Sequence, residues 1–446
     1  VSPVTSYQLP VISHKSSVIS HQSSVTSYQS SVISYQSSVI SHQSSVISHQ
    51  SPVISHQSTV INPQSPVFMN EQIYTNYRLQ LPDQELLGTL VVRDGLIADI
   101  QPGILTHGQN GEGDYLLPGL IELHTDNLER CMSPRPGIRW PLEAAAVYHD
   151  RDLASAGVTT VCDAIAIGDV AAGSPRLTNY APMIDVISQG QAAGRFCVEH
   201  RIHLRCELAY EEVYEITAEY TNHPLLSMIS LMDHTPGQRQ FIRLDKFKEY
   251  YMGKHGVTPD QMDEFILVRQ QKQAIYAEKN RIALVELAKT QGISLASHDD
   301  ATVEHVQEAL QDGVVLAEFP TTLEAAKAAH SLGLQVLMGA PNLVLGGSHS
   351  GNVSAMELVL HNLVDVISSD YVPQSLLQSI FIIAHKTDKP IYQAMQLFTS
   401  NPAKAINLFG DRGSLEVGKR ADFITVHDDG IVPRLKTTIC RGDRVA

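Results

Sequence analysis

Residues 116–129 read LLPGLIELHTDNLE. A Pro-Gly pair introduces a run of branched apolar residues that stops on His124, Thr125, Asp126 and Asn127. A short apolar run bounded by turn residues reads as a buried strand, and polar groups gathered at its C-terminal end mark the edge where α/β folds do their chemistry. Side chains alternate along a strand, so Leu120, Glu122, His124 and Asp126 are expected on one face, with Ile121 and Leu123 on the other. His124 and Asp126 then point together.

The same texture continues outward. The runs TTVCDAI, RIHLRCEL, LLSMISLMDH, GISLASHDD, GVVLAEFP, LQVLMGA and VDVISSD are strand-like and are separated by helical stretches. Alternation of this kind from 118 to 407 predicts a parallel sheet, and its length fits a (β/α)8 TIM-like barrel. A doubly wound sheet is the rival, but no Gly-rich fingerprint follows the first strand. In RIHLRCEL, Ile202, Leu204, Cys206 and Leu208 form an apolar face, while His203, Arg205 and Glu207 form the opposite one. Three further runs deliver His234, His298 and Asp370 at their C-terminal ends.

One His or Asp after a strand is usually a loop starter or a helix cap. The constellation carries more weight. Imidazole and carboxylate donors together suit one or two divalent ions of zinc, manganese or iron, and a carboxylate such as Glu207 could bridge two of them. Such a site lowers the pKa of bound water to about 7, and a further carboxylate takes the proton. Asp370 is the candidate for that catalytic role.

On either side of this region the chain changes character. Residues 69–117 contain short alternating runs broken by Asp-Gly and Pro-Gly, and residues 408–446 have the same pattern. The two ends are expected to join into one small β-sandwich domain beside a barrel of residues 118–407. Residues 1–68 are different again: a seven-residue repeat (SSVISHQ and its variants) with Lys15 as its one formal charge. Val and Ile are adjacent in it, so it lacks the three-four spacing of a coiled coil, and its Ser-rich composition predicts a passive, disordered tail. Its repeating His21, His42, His49 and His56 could bind metal weakly.

Composition excludes several classes. A formal charge of −15 disfavours nucleic acid and anionic membranes as partners. No apolar run approaches the roughly 18–20 residues of a membrane span, and no basic-then-apolar leader opens the sequence. Five cysteines without paired spacing fit a reduced, cytoplasmic setting and read as core thiols. A homo-oligomer is compatible with the sequence.

The segments PGLIELHTD, SAGVTTV and NPAKAINLFGDRGSLEVGKRADFITVHDDG, with His234, His298 and Asp370 at strand ends, resemble the amidohydrolase superfamily. Within it, ELHTDNLERCMSPRPGIRWP, HLRCEL, MDHTPGQRQF, SHDDAT, GAPNLVLGGSHSGNVSA and SSDYVP are similar to the branch of diphosphatases acting on a methylphosphonate-bearing ribose triphosphate. The resemblance runs from about Met69 to the C-terminus. It implies a barrel with a β-domain and metal ligands at His124, Asp126, His234, His298 and Asp370. Glu207 stands where other members use a bridging lysine or glutamate, and His203 could replace it or touch substrate. Many members carry His-x-His on the first strand, whereas Asp126 takes the second place in this chain.

The implied reaction releases pyrophosphate from a small anionic phosphorylated sugar. Guanidinium forks suit such a substrate, and Arg130, Arg135 and Arg239 lie close in sequence to the candidate ligands. Asn342 and His349, around the glycine-rich VLGGSHSGN, are further substrate-binding candidates. Lys272 reads as part of a solvated helix face, and Trp140 as packing. Two other readings stay open: a barrel of the same design hydrolysing a cyclic amide, an N-acyl amino acid or an amino-heterocycle, and a metal-free scaffold.

Overall fold

The computed structural model describes residues 71–169, 174–239, 248, 258–347 and 351–446, all within the unit Met69–Ala446. The expectations for residues 1–68 and for His349 lie outside the described residues.

The quoted stretch joins two sheets. Strand β5 (Tyr115–Pro118) belongs to a mixed sheet and β6 (Leu120–Thr125) opens a parallel one, with Gly119 alone between them. A Cβ at Gly119 would sit 2.3 Å from Oγ1 of Thr159, so glycine is required by close approach to the next barrel strand.

The mixed sheet starts with β1 (Glu71–Gln80), β2 (Glu85–Arg93), β3 (Leu96–Pro102) and the short β4 (Gln109–Asn110). Asp94 and Gly95, at φ 52° and 78°, form the tight turn between β2 and β3 that the Asp-Gly pair predicts. At the other end of the chain, β14 (Phe423–His427), β15 (Arg434–Cys440) and β16 (Asp443–Arg444) complete the sheet in the order β16-β15-β14-β5-β1-β2-β3. The two strand-rich ends of the sequence therefore share one sheet. Its core is Tyr74, Tyr77, Leu79, Leu90, Ile97, Leu116, Phe423 and their neighbours.

The parallel sheet adds β7 (Val158–Ile167), β8 (Glu199–Glu207), β9 (Leu226–Met232), β10 (Ser294–His298), β11 (Leu316–Glu318), β12 (Gln335–Gly339) and β13 (Val366–Ser368). Every strand-like run identified in the sequence corresponds to one of them. They pair in sequence order from β6 to β13, with helices between successive strands, which is the (β/α)8 barrel. The last seam, between β13 and β6, is a single bridge of Thr125 with Asp370. Glu122 reinforces it by accepting the backbone N–H of His124 and of Ser369, both at 2.6 Å, and the hydroxyl of Ser368.

The barrel is filled from within by Ile121, Leu123, Cys162, Met228, Ala296, Leu316, Leu337 and Val366. That corrects the expected faces of the first strand, because Ile121 and Leu123 are the inward residues and Leu120 packs in the outer layer. A register irregularity between Glu122 and Thr125 breaks the alternation and brings His124 inward as well. On β8 simple alternation holds: Ile202, Leu204, Cys206 and Leu208 pack outward.

The longest helix, Pro259–Gln291, is started by a capping box of Thr258 and Gln261 and stopped by left-handed Gly292. Lys272 lies on it, exposed and 3.5 Å from Glu211. Among the described residues no helix is long and apolar enough to cross a membrane. The cysteines are unpaired, with Cys162, Cys206 and Cys440 buried and Cys131 and Cys197 half-buried. Trp140 is not a core residue: it is 44% exposed, 6.5 Å from the Tyr148 ring.

Candidate metal centre

The inner wall of the barrel brings three histidines together. The rings of His124 and His298 stack with centroids 5.5 Å apart, and His234 meets His298 edge-on at 5.5 Å. Each is held from behind by a carboxylate. Glu318 accepts Nδ1–H of His124 at 2.9 Å on one oxygen and faces Nδ1 of His298 at 3.3 Å with the other. Glu207 accepts both the backbone N–H of His234, at 3.1 Å, and its Nδ1–H, at 2.7 Å. These contacts fix the tautomers and leave Nε2 of all three rings to the centre, an arrangement typical of metal-binding histidines.

Three carboxylates sit with them. Asp299 lies 3.8 Å from Nε2 of His234 and 3.6 Å from Nε2 of His298. Asp126 occupies the N-cap position of helix Asn127–Met132 but makes no capping bond. Its carboxylate instead faces Arg176 at 3.5 Å and Arg205 at 3.7 Å. Asp370 is tied to β6 by its backbone N–H, 3.1 Å from the carbonyl of His124, and by its carbonyl, which accepts the Thr125 hydroxyl at 2.7 Å. Asp299, Phe319 and Asp370 all have left-handed backbone, φ 54–56°, just past the ends of their strands. For non-glycine residues this conformation costs about 1 kcal/mol or more each, and such strain gathers where side chains must be aimed.

Electrostatics fits a cation. Burial holds His124 and His298 neutral, far below the ordinary imidazole range, as a metal ligand must be. Burial, and then the charge of Asp126, pushes Asp370 up to about 7; burial pushes Asp299 up to about 6. Carboxyls raised in this way are short of positive charge, and a divalent ion supplies it. The donor set therefore fits the group that the sequence implied.

Several expected contacts take other roles. Both oxygens of Glu207 face His234, which makes it an orienting group for that ring. His203 is not free for metal or substrate: Nδ1–H donates to the Leu123 carbonyl at 3.0 Å, Nε2 pairs with the Ser230 hydroxyl at 2.8 Å, and burial lowers its pKa to about 3. Arg239 is buried in ion pairs with Asp300 and, at 3.3 Å, Glu308. Asn342 accepts the backbone N–H of Ala355 at 3.1 Å and so links two helices. Arg130 stands exposed at the rim, donating to the Tyr371 carbonyl at 3.2 Å, and Arg135 is exposed. Arg205 lies on the polar face of β8 that the sequence offers as a wall of ligands or substrate contacts, whereas Glu318, Asp299 and Arg176 are not among the site residues the sequence points to. Glu318 had a legible signal, a lone acid in the apolar run VVLAEF.

A second cluster of metal-type residues, His149, Asp163 and His200, lies on the outer side of β7 and β8 against helix Leu142–Ser155. Asp163 accepts from His149 Nε2 at 2.6 Å and from His200 Nδ1 at 2.7 Å. Hydrogen bonds this short occupy the very atoms that an ion would need, so the cluster is a buried ion-pair network.

Comparison with known proteins follows the same lines. The family model described as "Amidohydrolase family" matches residues 115–445. The chain is 46% identical over 360 residues to the α-D-ribose 1-methylphosphonate 5-triphosphate diphosphatase of Escherichia coli (strain K12), covering 80% of this chain and 95% of that protein. Solved structures share the fold at low identity. N-acetylglucosamine-6-phosphate deacetylase from Pasteurella multocida is 13% identical with a TM-score of 0.56, over 84% of this chain and 100% of that one. A Xaa-Pro dipeptidase is 14% identical with a TM-score of 0.57, over 84% and 100%.

Proposed function

Because this chain belongs to the amidohydrolase family, we propose that it hydrolyses α-D-ribose 1-methylphosphonate 5-triphosphate to ribose 1-methylphosphonate 5-phosphate and pyrophosphate. The observation that carries this reading is the similarity to the Escherichia coli diphosphatase, which extends over 95% of that protein and so takes in barrel and mixed sheet together. Fold alone would leave the substrate open, since the structural neighbours are named for deacetylase and dipeptidase activities.

His124, Asp126, His234, His298 and Asp370 would hold one or two divalent ions, with Asp299 adjoining and Glu207 and Glu318 orienting the rings. When bound, such an ion brings a water's pKa near to neutrality and polarises phosphoryl oxygens. The remaining work falls to the chain. Asp370, whose carboxyl is raised by burial and by the charge of Asp126, is the group that would receive a proton from the attacking water. Burial makes His124 and His298 much weaker bases than an ordinary imidazole, so they compete poorly for that proton. Arg130, bonded to the carbonyl of Tyr371, holds the loop that follows Asp370 and places a cation at the mouth. Five unpaired cysteines and a phosphorylated substrate fit a cytoplasmic setting.

The test is turnover by the chain loaded with zinc, manganese or iron, scored for pyrophosphate against orthophosphate. Metal-dependent pyrophosphate release is expected. Orthophosphate alone, or no turnover with metal bound, overturns the reading and moves the search to amide substrates.

A further inference from the structure

Arg205 is an unusual arginine for so buried a place. It projects from the inner face of β8 between His203 and Glu207, and 8% of it is exposed. Its charge is felt by His124, His234, His298, Asp299 and Asp370, so it stands among the candidate ligands. Nε is buried and has no hydrogen-bond partner. Among the described residues, its ion pair is with Asp126 at 3.7 Å, longer than a hydrogen bond.

Other arginines near the site are committed. Arg176 approaches the same oxygen of Asp126 at 3.5 Å, but Nε and Nη2 both donate to Glu129, at 3.0 and 2.9 Å. Arg239 is bound by Asp300 and Glu308. A guanidinium taken out of water needs a partner for its charge and for its N–H groups. Asp126 divides its charge between two arginines and is itself a candidate metal ligand, so it leaves Arg205 underpaired. The missing partner is an anion with several acceptor oxygens at fixed spacing, and a phosphoryl group has that form.

We propose that Arg205 is the phosphoryl-oxygen clamp of this centre, the residue that makes the site select a phosphorylated substrate over a neutral amide. The proposal rests on the assigned reaction for the identity of the whole substrate, but it requires only a phosphoryl oxygen at the centre.

The experiment measures binding of inorganic phosphate to the metal-loaded chain by calorimetry, with bound metal counted by elemental analysis, for the wild type, Arg205→Gln and Arg205→Lys. Phosphate affinity is expected to fall by at least about tenfold in both variants at unchanged metal content, lysine keeping the charge but not the fork. Unchanged affinity in a folded variant overturns the clamp. So does parallel loss of phosphate and metal, which would make Arg205 a support for Asp126. If Arg205→Gln does not fold, Arg205→Lys decides by the same criteria. The two readings fail separately. Pyrophosphate release that survives Arg205→Gln undiminished removes the clamp and keeps the function. Phosphate binding that depends on Arg205 in a wild type inert towards the triphosphate keeps the clamp and removes the function.

Discussion

One oxygen of Glu318 lies 2.9 Å from Nδ1 of His124 while its other oxygen faces His298, so one carboxylate fixes the tautomer of two rings. Glu318→Gln is nearly isosteric but presents one acceptor and one donor. One of the two histidines must then face an N–H, change tautomer and turn its remaining lone pair away from the centre. Metal affinity is expected to fall by about 10- to 100-fold, as when other orienting groups behind histidine ligands are removed. Titration with a competing chelator measures it; unchanged affinity would leave Glu318 without this role.

Asp370→Asn keeps the shape of the side chain and the backbone contacts to His124 and Thr125. It removes the group that receives a proton. Turnover should drop by about 10²- to 10⁴-fold with the thermal midpoint nearly unchanged. In the wild type, kcat/KM should decline as pH falls through the Asp370 pKa, about 7 in the metal-free site and lower once a cation is beside it. The variant's residual rate should lack that acid limb, and a limb that persists would assign it to another group.

The outer ion-pair network makes stability depend on pH in a direction that can be worked out. Burial lowers His200, but the charges of Asp163 and Asp150 and the hydrogen bonds to both together outweigh it and raise the imidazole to about 9. A folded pKa above the unfolded value gives stability that is fully present below about pH 6.5 and is lost as pH rises through about 9. A displacement of that size is worth on the order of 3 kcal/mol. Asp163 works at the other end: burial opposes it, yet His200 and His149 hold it at about 2, and its share is lost as pH falls from about 4 towards 2. The two shifts describe one pair and do not add. Denaturant midpoints between pH 6 and 9.5 should decline in the wild type, and that decline should be much flatter in His200→Gln.

How far the sequence reached depends on which forces acted locally. Asp94-Gly95 became a turn because few other pairs tolerate two left-handed residues, and RIHLRCEL kept its two faces because its ladder with β7 runs unbroken. LIELHT departs from alternation because Glu122 must bond across the barrel's last seam, a contact with Ser368 and Ser369 some 250 positions away that no local pattern encodes. Arg239 follows the same logic: near His234 in sequence, it is claimed by Asp300 and Glu308. Asp299 escaped notice because its left-handed backbone, which aims it between His234 and His298, is invisible in the string SHDD.

Both described sheets and both of their cores are built from residues after Met69. A chain beginning at Met69 should therefore retain the turnover of the longer one within error. Comparison of kcat and KM for the two purified chains decides it, and a large loss would give residues 1–68 a role in the reaction.

Glu122 offers the sharpest separation of fold from chemistry. It is fully buried, and it accepts two backbone N–H groups and a hydroxyl at the β13–β6 seam. Glu122→Ala leaves the N–H of Ser369 buried without its acceptor, a cost of about 1–3 kcal/mol, while the N–H of His124 keeps the Ser368 hydroxyl oxygen at 2.9 Å and the Ser368 hydroxyl can turn to the His124 carbonyl at 3.4 Å. The N–H of His124 loses one of its two acceptors, so the seam and the metal ligand loosen together. Burial raises the Glu122 carboxyl to about 7, which means that a neutral side chain is tolerated there. Glu122→Gln, with one oxygen left to accept, should lose far less stability than the alanine variant and keep most of its metal affinity. Thermal midpoints and metal titrations of the two variants test this. Equal losses in both would show that one acceptor oxygen is not enough and that the full carboxylate holds the seam.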